Sequence, residues 1–501
     1  MKPPDPIRAK MSGWEVGPQE ALVWGGLSAL FEIGSRMAAV VVLSRLLPPA
    51  DFGLYGIGIS IVLILATFAQ FGVPTNLIFL DHVDRKSFAA AIALCLTSTA
   101  VVALAGAGIV AAHVPFQQDT TRDVLFAFLA YATVQVFLNL LEALARRIFA
   151  FRSIALCDLS SAIVGSLVVP VILALSGWGV WSLVIGQFVG AAIRMAGFLN
   201  ICRDFVGFRT TVSEVRRVAS SGFAVTVAEL ANIATVYAQR PLIGFELGVA
   251  AAGLWTRFYQ IILLQLTLVI QPADRFVLPK LARTRESSGR VEDMLLLLFE
   301  VVTLVTVPVS VITALIAPAA IPLAFGPGWS GLVVPLQIGA ITFFFRGIDR
   351  IMLTTARATG RMGARAVAQV VQLAIVMGAI YAAVPGGLPM VATAYVAAQA
   401  VSFVMMIGVF CATTGISPGR VVLRLIPGIA AGAALLGSGF LLGAIDDSSF
   451  TLNAGARGLI LVAICVLMAV GLRLLSFSNE LNRLFDLAAL GLARLCFARG
   501  S

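Results

Sequence analysis

The sequence predicts an all-α polytopic membrane protein of about fourteen spanning helices. The expected arrangement is two parallel-oriented six-helix lobes around a central cavity, plus two C-terminal helices. Three observations carry this: the composition, a succession of long apolar runs, and a short polar pattern written twice. Of the 501 residues, 59% are hydrophobic and only 12% charged, with a mean hydropathy of +0.99. A soluble domain is about half apolar and a quarter charged. The net charge of +10, with a pI near 9.8, would suggest nucleic acid in a soluble chain. Here Lys and Arg are scattered through short connections, which suits orientation in a bilayer and no nucleic-acid partner.

Taken in order, residues 1–20 are polar and carry Pro3, Pro4 and Pro6. They lack the apolar core and small-residue cleavage site of a signal peptide, so they read as a cytoplasmic segment before a retained first span. A span needs about 20 apolar residues. Such runs cover 22–46, 54–79, 88–112, 124–144, 154–175 and 180–201, an N-lobe over 21–205. A second set covers 218–240, 249–271, 294–317, 332–355, 365–384 and 389–411, a C-lobe over 214–412. Pro308, Pro318 and Pro322 interrupt the ninth run, which a span tolerates where neighbours satisfy the freed carbonyls. Runs 421–443 and 456–475 add two spans within 420–475. In 476–501, Leu481, Leu484, Phe485, Ala488 and Leu492 recur at helical spacing, with Asn482, Arg483 and Asp486 off that stripe. That is the pattern of an amphipathic helix lying in the interface.

The connections alternate in charge. Arg85 and Lys86, Arg146 and Arg147, Arg216 and Arg217, and Arg357, Arg361 and Arg365 fall on one side. "VPFQQDTTR", "SGWG", "FGPGWSG" and "IDDSSFTLN" fall on the other and are nearly free of Lys and Arg. By the positive-inside rule, an even span count places both termini in the cytoplasm and the chain in the inner (cytoplasmic) membrane. The six cysteines are dispersed without a C-x-x-C pair, and His82 and His113 stand far apart. No disulfide framework, metal site or cofactor is expected.

The stretch "SRLLPPADFGLYGIG", Ser44–Gly58, has a partner in "QRPLIGFELGVAAAG", Gln239–Gly253. Arg45, Leu47, Asp51 and Gly53 align with Arg240, Leu242, Glu246 and Gly248, giving R-x-L-x-x-x-[D/E]-x-G at two outer hairpins. A weaker echo relates "EALARRIFAFRS" to "TTARATGRMGAR". Six spans recurring in the same orientation is a common transporter architecture, with substrate bound between the halves. Chance recurrence of such loops is the plain alternative. Each Arg can bind carbonyls at the end of its helix while the acid opens the next, a structural clasp formed by Arg45, Asp51, Gly53, Arg240, Glu246 and Gly248.

"LSRLLPPADFGLYGIGISIVLILATFAQFGVPTNLI" resembles the first hairpin of the polysaccharide transporter family, the Wzx-type oligosaccharide flippases. These belong to the multidrug/oligosaccharidyl-lipid/polysaccharide exporter superfamily. "FVLPKLAR" resembles that superfamily's Pro-containing loop after span 8, and "LAFGPGWSG" its "FGP" turn between spans 9 and 10. The resemblance runs over residues 20–410 and leaves the last two spans unmatched. It implies a polyprenyl-diphosphate-linked oligosaccharide as substrate, membrane lipids as surroundings, and polysaccharide polymerase and glycosyltransferases as partners.

Charges inside spans cost roughly 2.5–3.5 kcal/mol each on insertion scales, so they face protein or water. Glu32, Arg36, Asp158, Arg194, Glu229, Arg257, Arg346, Asp349 and Arg350 are the candidates. Arg36, Arg257, Arg346 and Arg350 would bind an anionic head, guanidinium matching phosphate oxygens. Glu32, Glu229 and Asp349 would balance them or couple transport. Glu32–Arg36 and Asp349 with Arg346 or Arg350 can equally be intrahelical locks. Arg194, near the inner end, can snorkel, and Asn76, Asn139 and Asn232 can bond helix to helix.

Three readings follow: an oligosaccharide-lipid flippase, a drug or cation exporter of the same superfamily, and a membrane polysaccharide polymerase or ligase. The last would require a substantial outer catalytic loop, and the longest outer connection is only "AIDDSSFTLNAG". No Walker A motif is present, so an ATPase domain in this chain does not drive transport. Orientation is testable with cysteines in whole cells. Thr120→Cys and Ser448→Cys should react with an impermeant thiol reagent, and Ser287→Cys only after permeabilisation. Labelling at 287 from outside would overturn the orientation.

Overall fold

The computed structural model describes residues 34–70, 73, 85–113, 119–147, 150–203, 210–211, 223–283, 288–359 and 362–446. Glu32, Asn76, Ser287, Ser448, the expected span 456–475 and the expected interfacial helix 476–501 lie outside them. Among the described residues every regular element is helical. Nine stretches are long and apolar enough to cross a membrane, or ten counting one bent pair. The chain is therefore an all-α, polytopic membrane protein.

Helix α1 covers 34–46 and α2 Pro49–Gln70. The latter starts five residues before the expected 54, because Pro at N1 and Asp51 in the first turn open a helix regardless of hydropathy. Helices α3 (Arg85–His113) and α4 (Asp119–Arg147) match their apolar runs. The fifth expected span is α5 (Phe151–Ser161), a π-helical turn (Ala162–Val168) and α6 (Val169–Leu175). Pro170 follows that turn and lacks the N–H a regular helix would use. Helix α7 is Val180–Cys202.

The seventh expected span is broken into α8 (Phe223–Tyr237) and α9 (Gln239–Leu247). Pro241 excludes the carbonyl of Tyr237 from a regular helix, and α8 stops there. Helix α10 (Val249–Arg283) extends well past the expected 271, so "FVLPKLAR" is helix and not loop. Helix α11 (Ser288–Phe325) contains Pro308, Pro318 and Pro322 without ending at any of them. The tenth expected span is bent. A 3₁₀ turn and α12 (Val333–Gly339) meet α13 (Thr342–Thr359) at 55°. Helices α14 (Met362–Ala383) and α15 (Gly387–Thr414) flank a 3₁₀ turn, with Gly387 at φ +72°. Helix α16 is Pro418–Asp446.

Packing divides the chain into two compact units. The first comprises Met1–Thr256, Leu323–Trp329 and Gln369–Val384; the second comprises Arg257–Pro322, Ser330–Ala368 and Pro385–Ser501. In the first unit, α4 is central and packs on α2, α3 and α7. Phe128, Val136, Leu140, Leu141 and Phe198 fill the contact. Small residues set the spacing, as in most membrane bundles. A Cβ on Gly58 would fall 2.0 Å from the Phe128 ring, and one on Gly165 2.4 Å from the Cα of Gly190. In the second unit, α16 docks on α11. A Cβ on Gly428 would meet the Thr303 backbone at 2.5 Å, and Arg424 pairs with the buried Glu300 at 2.6 Å.

One contact in the first unit is reciprocal. A Cβ on Gly53 would lie 1.8 Å from the Val249 carbonyl oxygen, and one on Gly253 1.8 Å from that of Pro49. Helices α2 and α10 thus cross with Pro49 equivalent to Val249 and Gly53 to Gly253. Gly-Leu-Tyr (53–55) and Gly-Leu-Trp (253–255) then align. This pairing of helix starts differs from the register of the shared polar letters, which sets Gly53 over Gly248.

Gly53→Ala and Gly253→Ala should each force this crossing open and lower thermal stability by about 1–3 kcal/mol. The double variant should cost less than the sum, because both strike one contact. Gly378→Ala, which meets nothing within 4 Å, is the control; melting of the purified proteins in detergent decides the comparison.

Candidate functional site

Arg346 lies on α13 in the second unit and is only 8% exposed. Its Nη2 donates to the Tyr259 hydroxyl at 2.6 Å, and the guanidinium stands 5.9 Å from that ring's centroid. Tyr395 of α15 also acts electrostatically on the guanidinium. The rings of Phe258 and Tyr259 pack on Tyr395 at 6.2 and 6.4 Å, and Gln399 donates to its hydroxyl at 2.9 Å. Among the described residues, no carboxylate lies within ion-pair distance of Arg346, and its buried Nε has no hydrogen bond. The sequence locates this cation; its tyrosine cradle comes from two other helices and has no local signature.

Arg257, 2% exposed, donates to Gln260 Oε1 at 2.6 Å one turn along α10. At about 100° per residue, Arg257 and Tyr259 leave α10 on nearly opposite faces. Arg257 is therefore not gathered into the tyrosine cradle. Arg36 and Arg350 are exposed on their helices, as is Glu229 on α8. Asp349 acts on Arg346 through its charge without a direct ion pair. It accepts from Arg365 of α14 at 2.6 Å. Arg365, counted with the inner orientation charges, is 5% exposed. Its spacing to Gln369 and Gln372, one polar stripe through an apolar run, is the signal that marks it.

Arg194 does not snorkel. It pairs with Glu142 at 2.5 Å and with Asp158 at 2.9 Å, and Glu142 also holds Arg146 at 2.5 Å. These carboxylates and cations join α4, α5 and α7 into one balanced network.

The outer hairpin residues form a clasp different from the expected one. Arg45 donates through Nε to the Ala324 carbonyl at 3.1 Å and through Nη2 to that of Leu323. It caps the C-terminus of α11, where a cation is favoured, and not its own helix. In return, Trp329 donates its indole N–H to the Ser44 carbonyl at the end of α1, at 2.7 Å. Phe52 and Phe325 flank that indole at 5.4 and 5.9 Å. Asp51 sits in the first turn of α2 as expected. The second copy differs. Arg240 opens α9 instead of ending a helix, is buried, lies 4.7 Å over the Tyr237 ring, and reaches Ser60 Oγ at 3.4 Å. Glu246 is exposed in the last turn of α9, which Gly248 closes at φ +91°.

A family model described as "Polysaccharide biosynthesis protein" matches residues 42–334, more than half of the chain. The chain belongs to that family. Family membership makes it a transporter and not an enzyme, one that moves a membrane-embedded substrate across the bilayer. It is 23% identical over 381 residues to the succinoglycan biosynthesis transport protein ExoT of Rhizobium meliloti (strain 1021), covering 70% of this chain and 76% of that one. It is 19% identical over 356 residues to the lipopolysaccharide biosynthesis protein WzxC of Escherichia coli (strain K12), covering 68% and 69%. In fold it resembles the lipid II flippase MurJ in an inward closed conformation. The TM-score is 0.69 at 12% identity, covering 90% of this chain and 97% of that one. An inward-facing multidrug resistance MATE transporter of the MOP superfamily gives 0.60 at 12% identity, covering 79% and 99%. This family member therefore has the MOP exporter fold.

Arg45→Ala and Trp329→Phe should each leave a helix C-terminus uncapped and lower stability by about 1–3 kcal/mol. Arg45→Lys should recover part of the loss. If Arg45→Ala melts like the parent while transport disappears, the residue serves the substrate and the capping role is wrong.

Proposed function

We propose that this transporter flips a polyprenyl-diphosphate-linked oligosaccharide from the inner to the outer leaflet for exopolysaccharide, O-antigen or capsule assembly. The observation that carries the reading is Arg346, a buried cation held by a tyrosine hydroxyl and in direct ion-pair contact with no carboxylate among the described residues, in a polysaccharide-biosynthesis chain. Moving each sugar hydroxyl into hydrocarbon without a partner costs about 1–3 kcal/mol or more. A polar path must therefore carry the head while the polyprenyl tail stays in lipid. The printed roles of ExoT and WzxC, in succinoglycan and lipopolysaccharide synthesis, support the substrate class.

In this proposal Arg36, Arg257, Arg346 and Arg350 meet the diphosphate along its route, and Glu32, Glu229 and Asp349 balance them in the empty carrier. The chain has about fourteen spans, lobes over 21–205 and 214–412, and both termini in the cytoplasm. The MATE likeness keeps a drug or cation exporter as the second reading. Against it, Glu142, Asp158, Glu300 and Asp349 are each engaged by an arginine, leaving them poor receptors for a cation.

Arg346→Ala should abolish flipping of a purified lipid-linked oligosaccharide in proteoliposomes with the protein still folded, and Arg346→Lys should retain part. Outward movement of the anionic head should accelerate under an inside-negative potential, which gains about 2.3 kcal/mol per charge per 100 mV. Unimpaired transport by an Arg257→Ala/Arg346→Ala variant would overturn the cationic path. Transport of cationic drugs, with the lipid-linked sugar left behind, would establish the second reading.

A further inference from the structure

A chain of uncharged polar side chains crosses the middle of the first unit. Gln187 of α7 donates to the Tyr55 hydroxyl of α2 at 2.6 Å. The Tyr131 hydroxyl of α4 is shared between Gln135 Oε1 at 3.1 Å and, more weakly, Gln187 Oε1 at 3.5 Å. Gln135 Nε2 donates to Asn139 Oδ1 at 2.8 Å. Tyr131, Gln135 and Asn139 recur every four residues, so they share one face of α4.

Holding helices together accounts for only part of this set. Tyr131 is buried, but Gln135, Asn139 and Gln187 are half-buried and keep surface open. A primary amide offers two donors and two acceptor lone pairs, and the bonds above use only part of that capacity. An amide left partly unsatisfied in hydrocarbon is costly, so it faces water or a polar ligand. The set carries no charge, and the ion network at its inner end offsets Arg146 and Arg194 with Glu142 and Asp158. Nothing here selects an anion or a cation. Aromatic edges border it, Phe128 against Tyr55 at 5.8 Å and Phe188 against Tyr131 at 5.3 Å. Amides that both donate and accept match the hydroxyls of neutral sugars.

We propose that Gln135, Asn139 and Gln187, set by Tyr131 and Tyr55, form a subsite for the uncharged sugar hydroxyls of the transported head, separate in chemistry from the arginines that meet its phosphates. The inference rests on the flippase reading. It assigns sugar selectivity to the first unit.

The test uses the full-length protein in proteoliposomes with two probes, polyprenyl diphosphate bearing an oligosaccharide and sugar-free polyprenyl diphosphate. Asn139→Leu and Gln135→Met should weaken binding of the sugar-bearing probe by about threefold to tenfold per lost bond, leaving the sugar-free probe unchanged. Tyr131→Phe, the milder variant, should give a smaller loss of the same kind. Arg346→Ala should weaken both probes alike. Equal weakening of both probes by the amide variants, or lower melting temperatures with unchanged sugar affinity, would reduce the set to helix contacts and overturn the proposal. If the parent binds neither probe, the flippase reading falls and this inference with it. If the parent binds both and the amide variants match it, this inference alone falls.

Discussion

Hydrocarbon supplies no hydrogen bonds, so a polar group inside a span must find a partner in the protein or in water at that depth. Most features of this chain are answers to that demand. Where α11 stops, two of its terminal carbonyls are taken by Arg45; where α1 stops, the Ser44 carbonyl is taken by the Trp329 indole. Thr303, Thr306 and Ser310 turn their hydroxyls back onto carbonyls of their own helix at 2.7–2.8 Å. Three prolines lie in α11 without ending it.

The same demand sorts the charges. Four carboxylates are bound to arginines, across helices as with Glu300 and Arg424 or Asp349 and Arg365, or in the network of Glu142, Asp158 and Arg194. Arg346 departs from that pattern, and tyrosine hydroxyls stand where a carboxylate would be expected. Phenols solvate a guanidinium without neutralising it.

Much of the fold is legible in the sequence because hydropathy is a one-dimensional signal. The apolar runs for α3, α4, α7, α14, α15 and α16 mark their helices closely. Boundaries fail where local chemistry overrides polarity: Pro49 starts α2 early, Pro241 splits the seventh run, and α10 continues through arginines. The candidate site was legible residue by residue and not as a constellation. Arg346, Asp349 and Arg257 stand out as charges in apolar runs, but Tyr259, Tyr395 and Arg365 look ordinary until folding brings them alongside. Span-level polar pairing is a property of three-dimensional neighbours.

The crossing of α2 and α10 holds its two glycines under the same constraint. Its two halves are interchangeable, each glycine facing the carbonyl at the start of the other's helix. In a symmetric pair of identical half-length chains, one codon would specify both glycines, and a single mutation would strike the crossing twice. In a fused chain the two are written separately, yet neither gains freedom from it. The surface opposite each is backbone, which no substitution in the partner helix can trim. A steric clash at one position thus has no compensating change at the other. Beside the crossing the residues differ, Tyr55 against Trp255 and Gly56 against Thr256, while at the crossing itself both helices carry glycine.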